Sequence, residues 1–239
     1  MNSFSDKFYQ DFIQDDRWKF ITNGLKVTLI VTLFALLIGV LIGVIIAIIR
    51  CAHDMQDKTE RRGFKGFLLN FLNFLAQVYV TVIRGTPALV QLLIMYFIIF
   101  VSIDSKILVA VLTFGINSGA YVAEVIRGGI MSVDPGQMEA GRSLGLNYVI
   151  TMRKIILPQA FKAVLPSLVN ELITLLKETS ICGYIGLNEL TRGGDIIRGT
   201  TFDALLPLFG VALIYLAFVE IISQIFAVVE RRLRKSDRR

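Results

Sequence analysis

Histidine is nearly missing from this 239-residue chain, with His53 standing alone, and cysteine is scarce, with only Cys51 and Cys182. No GxxxxGK(S/T) phosphate loop occurs, no metal-ligand cluster, and no nucleophile paired with the one histidine. The chain therefore carries no catalytic constellation, no metal site and no nucleotide engine of its own. Ten-residue segments of alternating polarity, the mark of a membrane β-barrel, are also lacking. His53 lies in a charged loop without partners and reads as solvated. The cysteines fall at opposite ends of the topology below, too far apart for an intrachain disulfide.

What is present is apolar length. The chain is 54% hydrophobic with a mean hydropathy of +0.65, the composition of a polytopic membrane protein. Several charge-free runs approach or exceed the ~20 residues that a helix needs to cross the hydrocarbon core. The net charge of +6 is accordingly read as topology and not as a nucleic-acid surface. The polar, mixed-charge residues 1–19 do not form a cleavable signal peptide; Trp18 suits an interface anchor for a surface-lying segment.

The first span is expected over residues 25–49, with Gly39 and Gly43 at the small-residue spacing that lets helices approach closely. Residues 67–101 would make ~52 Å of straight helix against a core of ~30 Å, too long for one span and too short for two. The break falls at Arg84-Gly85-Thr86-Pro87: a first part along the inner interface, a kink, then a span ending near Val101. Arg84 sits at the kink as part of a gate or as a snorkelling anchor. Further spans are expected over 107–125, 163–185 and 204–229. The intervals between them alternate in charge. Residues 50–66, 127–162 and 230–239 are basic, whereas the N-terminus, 102–106 and 186–203 are neutral or slightly acidic. Five spans with the N-terminus outside and the C-terminus in the cytoplasm satisfy the positive-inside rule throughout. The resulting division is an extracytoplasmic segment 1–22, a membrane domain 23–229 with a cytoplasmic loop 127–162, and a basic cytoplasmic tail 230–239.

Within that loop, Asp134 stands at an N-cap position, Pro135 at the first helical position, and Gln137 where a capping box places its reciprocal partner. Gly145 is placed to end this helix in a left-handed turn, and Asn147 to cap a second helix that Pro158 closes or kinks. In the fourth span, Ser167, Asn170, Glu171, Thr174, Lys177 and Glu178 fall within an arc of about 120° at 3.6 residues per turn. Such residues are costly facing lipid, so the arc lines a wet path or locks the bundle through Lys177 pairs with Glu171 or Glu178. Asn117 and Ser118 lie midway along the third span, with Glu124 near its inner end. Glu220, Ser223 and Gln224 in the fifth span are a weaker polar group.

Glu139-Ala140-Gly141, then Gly145, Ile155, Leu157 and Pro158, resemble the EAA signature of permease subunits in binding-protein-dependent ABC importers. The family pattern is Glu-Ala-Ala, three residues, Gly, nine residues, then Ile-x-Leu-Pro; the spacing matches and Gly141 replaces the second Ala. RGTPALVQ at 84–91, AEVIRGGI at 123–130, NELITLLKETS at 170–180 and IGLNELTR at 185–192 are similar to the polar amino-acid branch. The resemblance covers about residues 23–232.

It implies an all-α type I importer permease fold of five or six transmembrane helices in a bacterial cytoplasmic (inner) membrane. The chain would pair with a second permease subunit, homo- or heteromeric, two ABC ATPase subunits, and an extracytoplasmic amino-acid-binding protein. ATP and Mg would be used by the ATPases and by nothing in this chain. The transported solutes would be amino acids, polar or charged. Glu139, Ala140, Gly141, Gly145, Leu157 and Pro158 would couple to the ATPase; Asn117 and the polar arc would line the pathway; Arg84 and Pro87 would form the kink or gate. The alternatives are a permease for another small solute or an ion-coupled secondary transporter, which should show inverted repeats that this sequence lacks.

Overall fold

The computed structural model describes residues 4–55 and 63–235, with side chains through residue 231. The loop charges Asp57, Lys58, Glu60, Arg61 and Arg62, residues 1–3, and residues 236–239 of the basic tail lie outside it.

All described regular structure is helical. A short N-terminal run, α1 (Phe4–Phe8), a π turn (Tyr9–Ile13) and a 3-10 turn (Gln14–Asp16), leads into α2 (Trp18–Met55). Then come α3 (Gly63–Arg84), α4 (Ala88–Ile94) with a π turn (Met95–Ile99), and α5 (Lys106–Met131). The loop elements are α6 (Pro135–Ser143), α7 (Tyr148–Thr151) and a π turn (Met152–Ile156). They lead into α8 (Leu157–Glu178), a 3-10 stretch (Thr179–Ile185), α9 (Leu190–Thr201) and α10 (Leu205–Lys235).

Four helices among the described residues are long and apolar enough to cross a membrane: α2, α3, α5 and α10 through Arg231. The break expected near Arg84 is present, with Gly85 N–H donating to Thr81 O at 2.9 Å and Pro87 extended at φ −64°, ψ 137°. The lengths on its two sides differ from expectation. The piece before the break, α3, meets the length and composition of a span, and the piece after it, 88–99, is a shorter apolar helix. The fourth expected span is also not among the four. Its α-helix stops at Glu178, and the same polar residues that drew attention to it lower its hydropathy. The third runs past its expected end, through Arg127 to Met131.

The fold divides into two compact units. Unit 1 comprises Met1–Leu36, Pro87–Phe114 and Leu172–Val228; unit 2 comprises Leu37–Thr86, Gly115–Glu171 and Val229–Arg239. Unit 1 is centred on Ile21, Leu190, Ile197 and Val211, with Phe12, Leu25, Ile214 and Tyr215 packed around them. Helix α9 occupies what the sequence marked as a polar loop, and it meets α2 backbone to backbone. A Cβ on Gly24 would lie 2.6 Å from Glu189 O, and one on Gly193 would lie 2.5 Å from Phe20 O.

Unit 2 uses the same device between α2 and α5. A Cβ on Gly39 would approach Ser118 Cβ to 2.9 Å, and one on Gly43 would approach Val122 Cγ1 to 2.5 Å. Between helices in lipid, where apolar burial gives little drive, this close approach supplies the packing energy. A second cluster, Cys51, Ile130, Ile156 and Ala160, joins the ends of α2 and α5 to the loop elements. Both cysteines are free and buried.

Candidate functional site

The loop after α5 folds as its caps dictate. Asp134 caps α6 by accepting from Gly136 N–H at 2.8 Å, with Pro135 in the first turn. At the other end Gly145 sits at φ +83°, Leu146 N–H donates to Gly141 O at 3.1 Å, and Gly145 N–H donates to Arg142 O at 2.9 Å. These two bonds form a Schellman closure, which requires a left-handed residue where Gly145 stands. Asn147 then caps α7, its Oδ1 accepting from Ile150 N–H at 2.9 Å.

Glu139 and Ala140 are exposed on α6, but Gly141 is buried and points into its own chain. A Cβ there would lie 2.5 Å from Thr151 Cγ2 and 2.9 Å from Thr151 Oγ1. The glycine thus serves the packing of α6 on α7, and a partner approaching α6 meets Glu139 and Ala140. Pro158 neither ends nor breaks the helical path. The π turn Met152–Ile156 widens the chain just ahead of it, and α8 begins at Leu157. Leu157 and Pro158 are exposed, and Ile156 is buried. A cavity of about 300 Å³ opens beside α6, lined in part by Met55, Ile130, Met138, Glu139, Arg142 and Tyr148. Tyr148 O–H reaches Met55 Sδ at 3.3 Å.

The polar arc lies on the continuous helix α8. Asn170, Thr174 and Lys177 are exposed, whereas Ser167, Glu171 and Glu178 are half-buried. Glu171 lies beside Ser118, so the arc meets the mid-helix polar pair of α5, in which Asn117 is buried.

Arg84 and Glu124, picked out separately in the sequence, belong to one ionic cluster. Glu124 pairs with Arg50, with Arg127 at 3.2 Å and with Arg84 at 3.8 Å. Arg127 also pairs with Asp54 at 3.2 Å, and the Arg84 guanidinium stands 5.3 Å from the Tyr121 ring centroid. One carboxylate thereby ties together the ends of α2, α3 and α5. Pro87 has no part in this cluster. His53 is not simply solvated: its Nδ1 lies 3.4 Å from Asp54 Oδ1.

Glu189 was missed. It is 1% exposed and caps α9, accepting from Thr191 N–H and Arg192 N–H, both at 2.7 Å, and from Tyr215 O–H at 3.2 Å. Burial pushes its carboxyl above the ordinary range, and the backbone donors of Thr191 and Arg192 pull the other way. The available signal was an acidic residue just before a Leu-Thr-Arg-Gly-Gly run, a cap pattern hidden in a loop of mixed charge.

Residues 66–235 match the family described as the inner membrane component of binding-protein-dependent transport systems. The chain belongs to that family. This permease is 42% identical over 168 residues to the arginine transport system permease protein ArtQ of Bacillus subtilis, covering 69% of this chain and 76% of that protein. It is 40% identical over 177 residues to the glutamine transport system permease protein GlnP of Escherichia coli, covering 72% and 80%. A crystal structure of an amino acid ABC transporter with histidines superposes with a TM-score of 0.80 at 37% identity, covering 97% of this chain and 99% of that one. The MetNI methionine ABC transporter shares the fold, with a TM-score of 0.76 at 18% identity over 92% and 99%.

The permease is thus a multi-pass bacterial inner-membrane protein and the non-catalytic component of an ABC importer. A transport system of this kind implies ATPase and binding-protein partners.

Proposed function

We propose that this permease imports polar amino acids handed over by a solute-binding protein, and that α6 is the helix through which two ATPase subunits drive it. The observation that carries this reading is the construction of the loop. α6 is capped at both ends, locked to α7 through Gly141, and presents Glu139 and Ala140 outward. From Tyr148 to Glu171 the chain stays helical, a path of about 36 Å at 1.5 Å per residue. A displacement of α6 by ATP-driven closure therefore reaches Ser167, Asn170 and Glu171 of the polar arc along a continuous helical path. Leu157 and Pro158 mark where that path leaves the loop.

In this reading the loop 127–162 and the tail 230–239 are cytoplasmic, the N-terminal segment 1–22 is outside, and the chain crosses five times. Arg84, held to Glu124, keeps the break before Pro87 at the cytoplasmic boundary. A second permease subunit covers the exposed face of α8, where Asn170, Thr174 and Lys177 point away from their own chain. Asn117, Ser167, Glu171 and Glu178 complete the pathway. Its mixed charge suits an ammonium and a carboxylate together, and the arginine and glutamine permeases among the relatives favour polar amino acids over other small solutes.

The experiment is Glu139→Ala in the complete complex, reconstituted in proteoliposomes with its binding protein. Amino-acid uptake should fall with ATP hydrolysis retained, or the ATPase should copurify in lower yield. Full assembly with full coupled uptake overturns the coupling role.

A further inference from the structure

Phe202, at 93% exposed, is the most exposed large apolar side chain among the described residues. It is also held in the left-handed region, at φ 58° and ψ 14°, as the residue that closes α9. That conformation suits glycine or asparagine, and a bulky side chain is strained in it. Both flanks are fixed. Phe202 N–H donates to Arg198 O at 2.9 Å, and Asp203 N–H donates to Thr201 Oγ1 at 3.3 Å. Asp203 Oδ1 accepts from Leu205 N–H at 2.8 Å to start α10, and Asp203 Oδ2 pairs with Lys7 at 3.3 Å. The ring is thus held out from a tightly tied corner and gains almost nothing from its own chain in return for the strain.

The corner continues a surface. Leu205, Phe209, Leu213 and Leu216 are 61%, 62%, 62% and 63% exposed, spaced by three and four residues along one face of α10. Phe202 stands one further step of three ahead of them. The Lys7–Asp203 pair brings α1 alongside, and α1 exposes Phe4 and Phe8 one turn apart. Phe12 is tied in as well, its ring 5.1 Å from that of Phe8 and its Cζ 3.4 Å from where a Cβ on Gly210 would stand. From Phe202 to Leu216 the α10 stripe holds no polar side chain; Glu220, which accepts from Gln224 Nε2–H at 2.8 Å, ends it further along the helix. The stripe therefore differs from the open face of α8, whose asparagine, threonine and lysine call for a protein or aqueous neighbour.

We propose that Phe202, with Phe4 and Phe8, is a lipid anchor. The rings rest in the bilayer at the boundary between headgroups and acyl chains, extending the lipid-facing stripe of α10 past the end of its helix. Aromatic side chains favour that depth, and the paired charges Lys7–Asp203 and Arg198–Asp195 suit the headgroup level beside it. The anchor fixes the depth and tilt of α10 and clamps the α9–α10 corner to the membrane surface.

The test uses the intact transporter in phosphatidylcholine–phosphatidylglycerol nanodiscs. Phe202→Cys is labelled with bimane, and the signal is its difference from the wild-type complex labelled in parallel. A lipid anchor gives blue-shifted emission, quenched more strongly by lipids carrying a nitroxide near the headgroup than by lipids carrying it near the chain end. Emission quenched by aqueous iodide and untouched by both lipids overturns the proposal. So does quenching by lipid that is seen only in the absence of the binding protein, which would make the ring a docking contact. A second variant, Phe202→Gly, removes the ring and relieves the backbone. In detergent its melting temperature should equal or exceed that of the wild type, and a clear drop would mean that the ring supports its own chain and not a bilayer contact.

Discussion

Replacing Gly141 with alanine should loosen the α6–α7 loop, although alanine is the residue that the EAA pattern places there. The new Cβ would stand 2.5 Å from Thr151 Cγ2. Ordinary carbon contact is about 3.5–4.0 Å, so α6 must retreat by about 1 Å or Thr151 must turn. Turning Thr151 breaks its Oγ1–H bond to Asn147 O, which measures 3.1 Å and lies at the cap of α7. Overpacking at so close an approach lies in the upper part of the usual range, about 2–3 kcal/mol, against roughly 1 kcal/mol returned by alanine's better helix propensity. The expected net cost is about 1–2 kcal/mol, a factor of 5–30 in the local opening equilibrium. Hydrogen exchange in the assembled complex reads it directly. The amides of Leu144, Gly145 and Leu146, which donate to the carbonyls of Ala140, Arg142 and Gly141, should exchange faster by that factor. In a Thr151→Ala background the clash is gone, and Gly141→Ala should cost nothing or become slightly favourable. Equal exchange in Gly141→Ala and wild type, or an equal cost in both backgrounds, refutes the reasoning.

Three further outcomes follow from the same geometry. Glu124→Gln removes the one carboxylate shared by Arg50, Arg84 and Arg127 and should lower stability by about 1–3 kcal/mol, below the ~3–5 kcal/mol of fully buried pairs. Arg84→Gln should cost less, because that side chain is 44% exposed; thermal unfolding in detergent should rank the two in this order. Gly145→Val places a β-branched residue at φ +83° and should cost about 1–2 kcal/mol, seen as faster exchange at the end of α6 with α9 unaffected. Glu189 has a carboxyl raised above its ordinary 4.5, so the folded state holds the proton more tightly than the unfolded one. Its stabilising contribution is present below 4.5 and is lost as pH rises through the raised value. Glu189→Gln should flatten that part of the melting-temperature profile, while lowering the profile as a whole through loss of one of the two cap acceptors; an unchanged slope would count against the assignment.

The helices of the 127–162 loop were legible in the sequence because their determinants are local. Asp134, Pro135, Gly145 and Asn147 each act within a few residues, and each does in the structure what its position implied. The arc on α8 was legible for a similar reason, since 3.6-residue periodicity needs no knowledge of neighbours. What was not legible depends on distant partners. Glu189 is buried by α2 and Tyr215, and Gly141 is turned inward by Thr151. Arg84 and Glu124 lie in separate segments, and nothing in the spacing of either points to the other. Helix α9 escaped notice because its buried face carries only two apolar side chains, Leu190 and Ile197, with Gly193 and Gly194 between them where further apolar residues would have marked the period. The lengths either side of the Arg84 break differed from expectation because a charge count fixes sides of the membrane, whereas helix ends depend on caps and breaks.

The joint between α2 and α9 has one more implication. At Gly24 and Gly193 the two helices touch through main-chain atoms, with no side chain between them whose rotamer could absorb an adjustment. In a scan of every amino acid at every position, these two sites should accept nothing larger than hydrogen, while exposed neighbours such as Lys19 and Arg192 tolerate wide substitution. A joint without a cushion also has no play. A displacement of α9 therefore carries this part of α2 with it, and a single methyl group would be enough to pry the two apart.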